Sequence, residues 1–483
     1  MKRLFLYISL LLPLLALSQS PKREFRGAWM HTIGQSQYAS QTSEQCQQYL
    51  RDQLDRLQCA GVNAVLFQVR PSADAFYPSE LEPWSKYLTK GGKAPEPYWD
   101  PLQFMIDEAH ARGMELHAWL NPYRVTTTKN EVLAPGHIYH KHPERFVKYE
   151  GDGKIYFDPA LPENRQFIAD VVLDIVSRYD VDGIHFDDYF YPYPAGGKDF
   201  PDAKSFAKYG NGMNKGDWRR QNVDQLIELV HSTIRESDRP WVRFGISPFG
   251  IWRNKASDPE GSDTNGLQNY DDLYADVLLW ADNGWIDYLI PQLYWELEHP
   301  KASSLKLADW WAQAVAPQCH LYIGQDVEKT MSKPDIAPST EPNQLRHKVE
   351  ITRSNPAILG NCWWPAYSLT KDSQGCATAL AEDFQCSIAL PPEYPQLSKG
   401  DLKPAQNLKI KGNKLSWEPA KGAARYVVYN FPEWELADLD DASCIVTVTP
   451  FTSIEIDDSG VYVVTALDHA NVESDPSNMV HKK

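Results

Sequence analysis

The chain has 483 residues, 42% hydrophobic and 23% charged, with a formal net charge of −16. Its apolar content can bury a sizeable core, which excludes a disordered chain, and its length suits two or three domains or one large domain with an appendage. The acidic balance argues against nucleic acid as a partner and against docking on anionic lipid through a basic face.

The N-terminus reads Met1-Lys2-Arg3, then an apolar stretch from Leu4 to Leu17, with small residues Ala16 and Ser18 before Gln19. This is the pattern of a secretory signal peptide over residues 1–18, and the stretch is short for a transmembrane span. An exported protein, periplasmic or extracellular, is therefore expected. No Cys follows the stretch, so a lipid anchor is not indicated. Seven Cys is an odd count with no CxxC pair; Cys376 and Cys386 either pair or remain buried thiols.

From residue 25 to about 385 short apolar strands alternate with amphipathic helices. Strand 25–31 comes first, followed by a helix over 43–60 with Thr42 and Gln45 as a capping box. Strand 63–70 precedes a helix opened by Asp100-Pro101, and strand 115–121 follows. The helix over 163–179 carries a double apolar row and leads to strand 183–187. Helix 217–236, strand 243–248, helix 270–281 and strand 287–294 continue the alternation. Helix 305–316, strand 320–325, helix 342–353, strand 360–367 and a helix near 375–385 complete it.

Eight alternating units imply parallel strands joined by crossover helices, and so a closed (β/α)8 barrel spanning 19–386. An open doubly wound sheet is the rival, but no GxGxxG or P-loop follows the first strand. Long inserts at 71–99, 122–160, 190–216 and 250–269 follow strands 2 to 5, on the rim where such barrels build their sites. A Pro-rich linker, 387–404, leads to residues 405–483. There, short alternating strands around Trp417 predict a β-sandwich, and Tyr462 to Ser477 resembles the end of a fibronectin type III domain.

The 16 Trp and 25 Tyr exceed what a core of this size requires, and such a surplus often lines sites that stack the flat faces of sugars. Reading strand ends around the rim gives Trp29, His31, Gln68, Arg70, His117, Trp119, Asn121, His185, Ser247, Gln292, Tyr294, Trp295, Trp363 and Trp364. Tyr123, Tyr189, Trp252 and Arg253 join them from the adjoining loops as candidate substrate contacts. The sharpest feature is Asp187-Asp188 at the end of strand 4. Neighbouring carboxylates cannot both ionise cheaply, so the pair offers an acid and an anion together, as glycosidic cleavage requires. A capping pair is the structural alternative.

Glu296 is a candidate partner acid across the barrel mouth, or else a solvated rim residue. Asp271 and Asp272 suit helix capping, and Asp263 lies in a polar insert that reaches toward the site. His185 either tunes a carboxylate or is simply packed. Arg70, Arg124 and Arg253 have the rigid fork that binds carboxylates, such as a lactyl ether on a sugar, or serve structural ion pairs. His137, His140 and His142 lack the spacing of a zinc site, so no metal and no cofactor are expected.

The stretches FRGAWMHT, NAVLFQVRPSADAFYPS, YWDPLQFMIDEAHARGMELHAWLNPYRV, YDVDGIHFDDYFY, WRRQNVDQLI, FGISPFGIWRN and DYLIPQLYW resemble the glycosyl-hydrolase-10-like family. They look closest to its bacterial envelope members that cut peptide-free peptidoglycan strands. The resemblance covers about 25–390 and implies a barrel-shaped exported glycosidase acting on a polysaccharide, with DDYF at Asp187, Asp188, Tyr189 and Phe190 as prime catalytic positions. It weakens the case for Glu296, whose position varies among such proteins. A glycosidase for a dietary or capsular polysaccharide, or a non-catalytic carbohydrate-binding protein, are the alternatives. Oligomeric state is not written in the sequence.

Overall fold

The computed structural model describes residues 20–433 and 437–483; the expected signal peptide lies outside them. Eight parallel strands close a barrel: β1 (Phe25–Met30), β2 (Ala64–Arg70), β3 (Glu115–Leu120), β6 (Gly183–Phe186), β7 (Arg243–Ile246), β8 (Tyr288–Leu289), β9 (His320–Asp326) and β10 (Ile358–Trp364). β1 closes the ring by pairing with both β2 and β10. A hairpin of β4 (Phe146–Tyr149) and β5 (Lys154–Phe157) stands outside it, within the long insert after β3.

Local signals account for most helices. Thr42 and Gln45 form the expected capping box of helix Ser43–Cys59. Asp100 accepts from the amides of Leu102 and Gln103 and, with Pro101, starts helix Pro101–Ala111. The double-row helix runs Pro162–Arg178 and buries Phe167, Ile168, Val171, Val172, Ile175 and Val176 against the barrel. Among the described residues no helix is long and apolar enough to cross a membrane.

Three departures have plain causes. The strand expected over 287–294 is only Tyr288–Leu289, because Pro291 has no amide to extend the ladder. The helix expected over 270–281 splits into Asn269–Asp272 and Val277–Asp282, where Tyr274 takes a positive φ of 55°. The helix near 375–385 becomes one short turn, Cys376–Ala379, continued by a wider turn over Leu380–Phe384. Buried Cys376 and exposed Cys386 are both free thiols.

Beyond the barrel, β11 (Gln406–Lys411), β12 (Lys414–Glu418) and β15 (Ser453–Glu455) form one antiparallel sheet. β13 (Arg425–Phe431), β14 (Ile445–Thr449), β16 (Gly460–Leu467) and β17 (Val480–Lys482) form a second. Leu408, Leu415 and Trp417 of the first meet Tyr426, Val428, Tyr462 and Val464 of the second in one buried cluster. This sandwich seats against the amino-terminal end of the barrel strands. Arg425 Nη2 and Asn471 Nδ2 donate to Glu115 Oε1 at 3.2 and 2.8 Å, and His469 stacks on Trp241 at 4.8 Å.

A polar column climbs the barrel interior from that seal. Glu115 meets His117 Nε2 at 3.1 Å, and His117 Nδ1 lies 2.8 Å from the Tyr288 hydroxyl. That hydroxyl lies 3.2 Å from His185 Nδ1. The Trp29 indole, which can only donate, gives its hydrogen to His185 Nε2 at 3.2 Å, so the His185 proton sits on Nδ1. Glycines make the room: a Cβ on Gly245 would fall 2.0 Å from the Tyr288 ring, and one on Gly183 2.5 Å from His117 Nδ1.

Candidate active site

The column ends beneath a cavity of about 360 Å³ at the carboxyl ends of the strands. Trp29 and His31 line it from the end of β1, Gln68 from β2, Trp119 from β3 and Trp364 from β10. Asp187 and Asp188 follow β6 directly and both line the cavity while remaining buried. Tyr189, Tyr193, Ser247, Gln292 and Tyr294 complete much of the wall, with Arg124 beside them.

The two carboxylates are held differently. The Trp119 indole donates to Asp187 Oδ2 at 3.1 Å, the Asn121 amide donates to the same oxygen, and the Tyr189 backbone amide donates to Oδ1 at 3.2 Å. Asn121 is in turn gripped by Gln68 Nε2 at 2.8 Å and Arg124 Nη2 at 2.6 Å, both on its Oδ1. Asp188 accepts from the Tyr193 hydroxyl.

Burial pushes Asp187 up to about 7, reinforced by the charge of Asp188 and opposed by Arg124 and the donors. Asp188 is raised too, again chiefly by burial, against Tyr193, Gln292 and Arg124. The pair therefore keeps a proton near neutral pH. Burial also drives His185 well below its usual range and His31 down to about 4, so both imidazoles are neutral there.

Several expected contacts stand elsewhere. Arg70 is fully buried, its fork closed on Glu82 at 2.8 and 2.6 Å. His117 and His185 lie in the column below the cavity, and Asn121 acts behind Asp187 rather than in the lining. Tyr123 and Trp363 are fully buried in the helix-facing core, where strand alternation turns Trp363 away from the face that Trp364 shares. Trp252 stacks on Trp310 at 5.8 Å, and Arg253 is ion-paired to Asp258 and Asp271. Trp295 packs edge-on to Phe249. Glu296 pairs with Lys333 at 3.1 Å on the exposed rim and does not line the cavity, which removes it as the partner acid.

The remaining candidates also have settled positions. Asp263 pairs with Lys306 in solvent, and Asp272 accepts from the Gln268 amide. His137 accepts from the Tyr139 amide at 3.0 Å, capping a turn. Ser247 and Arg124, both expected at the rim, do line the cavity, and the lining residues that sequence reading did not name are Ile33 and Tyr193. Tyr193 lay within reach of sequence reading, because the same short polar-aromatic run carries it and Asp187.

A buried acid pair thus lies on the floor of an aromatic cavity at the site-bearing end of the barrel. The glycosyl hydrolase-like 10 profile matches residues 24–339. The chain belongs to this family. It is 39% identical over 437 residues to glycosyl hydrolase YngK of Bacillus subtilis, covering 86% of this chain and 84% of that one. It is 40% identical over 372 residues to glycosyl hydrolase DigH of Escherichia coli K12, covering 71% and 83%. A solved structure with which it shares 14% identity, at TM-score 0.44, is the PgaB (BpsB) glycoside hydrolase domain from Bordetella bronchiseptica, over 75% of this chain and 99% of that domain. This family member is thus a glycoside hydrolase with a (β/α)8 catalytic barrel.

Proposed function

We propose that the enzyme is exported and hydrolyses peptide-free peptidoglycan glycan strands, using Asp187 and Asp188 with assistance from the 2-acetamido group of the sugar. The observation that carries this reading is the shared position of the two acids. They are sequence neighbours on one side of the cavity, and Glu296 offers no second acid across it. Adjacent acids suit a substrate that brings its own nucleophile, an exception to the scheme of two carboxylates flanking the bond.

Three donors on Asp187 hold its orientation and oppose the rise that burial imposes, which suits its ionised form to accept the acetamido N–H. The acetamido oxygen then attacks the anomeric carbon as the bond to the leaving oxygen breaks. Asp188 gives its proton to that oxygen, and the Tyr193 hydroxyl steadies the carboxylate left behind. Asp188 afterwards takes a proton from the water that opens the cyclic intermediate. Trp29, Trp119 and Trp364 supply stacking surfaces for the sugar rings.

The test is a panel of purified glycans with and without 2-acetamido groups, with products read by mass spectrometry. Cleavage of denuded glycan strands and of other 2-acetamido glycans, with glycans lacking the group left intact, is expected. Turnover of a plant or capsular glycan without acetamido groups, and none of glycan strands, overturns the reading. In this scheme the sandwich seals the barrel; its three-plus-four strand arrangement supports the fibronectin type III likeness.

A further inference from the structure

We infer that Arg124 is the specificity residue of the cavity and binds a carboxylate carried by the bound sugar, such as the lactyl ether of muramic acid. This rests on the proposed action on peptidoglycan strands and adds which of their groups is recognised.

Of the three arginines whose forks could take a carboxylate, two are already neutralised. Arg70 is closed on Glu82, and Arg253 on Asp258 and Asp271. Arg124 forms no ion pair among the described residues, and it is the one Lys or Arg among those lining the cavity. Its Nε donates to the Pro71 carbonyl at 3.1 Å and its Nη2 to Asn121 Oδ1 at 2.6 Å. Its guanidinium lies 4.9 Å from the centre of the Tyr189 ring. These contacts hold the group rigidly, while Nη1 has no protein acceptor among the described residues.

A partly exposed, preorganised cation with an unused donor is a receptor for an anionic substituent. The acid pair does not fill that role, because it retains a proton and makes no direct bond to the guanidinium. Asn121 links the two functions: its amide donates to Asp187 and its oxygen accepts from Arg124. A carboxylate on Arg124 would therefore place the same sugar's acetamido group near Asp187. A muramic-type residue carries both groups on one ring; a uronic acid carries a carboxylate without the acetamido group.

The experiment compares kcat and KM on native denuded strands, the same strands with their carboxyls chemically reduced to alcohols, chitin oligosaccharides and a uronic acid polymer. Wild type is expected to prefer native over reduced strands by about 10–100-fold in kcat/KM, the range for losing a charged partner in a shaped site. Arg124→Gln should bring the native-to-reduced ratio of kcat/KM close to one, chiefly by raising KM on native strands, beyond any loss that both substrates share through Asn121 and Asp187. Arg124→Lys keeps the charge without the fork and should fall between. Equal use of native and reduced strands by wild type, or an equal loss on both in Arg124→Gln, overturns the inference. Preference for the uronic acid polymer that depends on Arg124 would keep this role for Arg124 and sink the peptidoglycan reading. Cleavage confined to glycans without carboxylates would sink both.

Discussion

Two buried acid pairs occupy opposite ends of the same barrel and meet opposite fates. At the carboxyl ends of the strands, Asp187 and Asp188 are raised because burial outweighs the help that Arg124 and the nearby hydrogen bonds provide. At the amino ends, burial again works against Glu115, but Arg243, His117 and Arg425 outweigh it and hold this carboxyl down at about 2. Asp182 is likewise kept low by His110, Arg425 and Arg243. Burial is common to both ends; the supply of cations decides. The lower pair is neutralised and locks the fold, whereas the upper pair keeps a proton near neutral pH.

The largest effect expected from breaking this contrast is on catalysis. Asp187→Asn and Asp188→Asn should each lower kcat on glycan strands by about 10³-fold or more, read by product release from proteins with wild-type circular dichroism. The same substitutions should stabilise the fold at pH 8. Asp187 rises from an ordinary 3.8 to about 7, so the folded state holds the proton more tightly than the unfolded one. Its ionisation therefore costs stability that is absent below about pH 3.8 and complete above about pH 7. Urea midpoints for Asp187→Asn should exceed wild type at pH 8 and converge with it near pH 4. A gain that does not vary with pH would refute the electrostatic account.

At the lower end the sign reverses. Arg425→Met should cost about 3 kcal/mol at neutral pH, because it leaves buried carboxylates short of a partner. Glu115 titrates at about 2 in the fold against an ordinary 4.5. Its contribution is thus complete above about pH 4.5 and lost as pH falls through about 2, so the cost of Arg425→Met should shrink in acid. Turnover by the molecules that remain folded should change little, which separates the two ends. The smallest effect belongs to Glu296→Gln: the Lys333 pair is exposed and worth less than about 1 kcal/mol, and kcat/KM should stay within about threefold.

Much of the barrel could be read from periodicity, because each crossover helix carries its own apolar stripe and its own caps. The acid pair was equally visible, since adjacency is a property of the chain itself. What the sequence hid depends on contacts far away in the chain. Nothing local separates Arg70 from Arg124; only the folding back of Glu82 onto Arg70 does so. Trp363 and Trp364 look alike until strand alternation sends one into the helix layer and the other toward the cavity. Glu296 looked like a site acid because a long strand was expected over 287–294, and Pro291 ends that strand early. The contact between sandwich and barrel has no local signal, because its ion pair joins residues Glu115 and Arg425, separated by 310 positions.

The same seal reaches back to the segment that enters β1. Lys22 and Arg23 are both ion-paired to Glu473, and Arg23 also donates to the Asn471 carbonyl. The Arg23–Glu473 contact spans 450 positions. Contacts of such separation carry a large loop-closure cost, which slows folding overall. A chain clipped or stalled before β16 would lack Asn471 and Glu473, leaving the approach to β1 loose and the barrel floor open. The floor of the barrel thus depends on residues from the far end of the chain, with Arg425 and Asn471 closing on Glu115 and Glu473 holding the approach to β1.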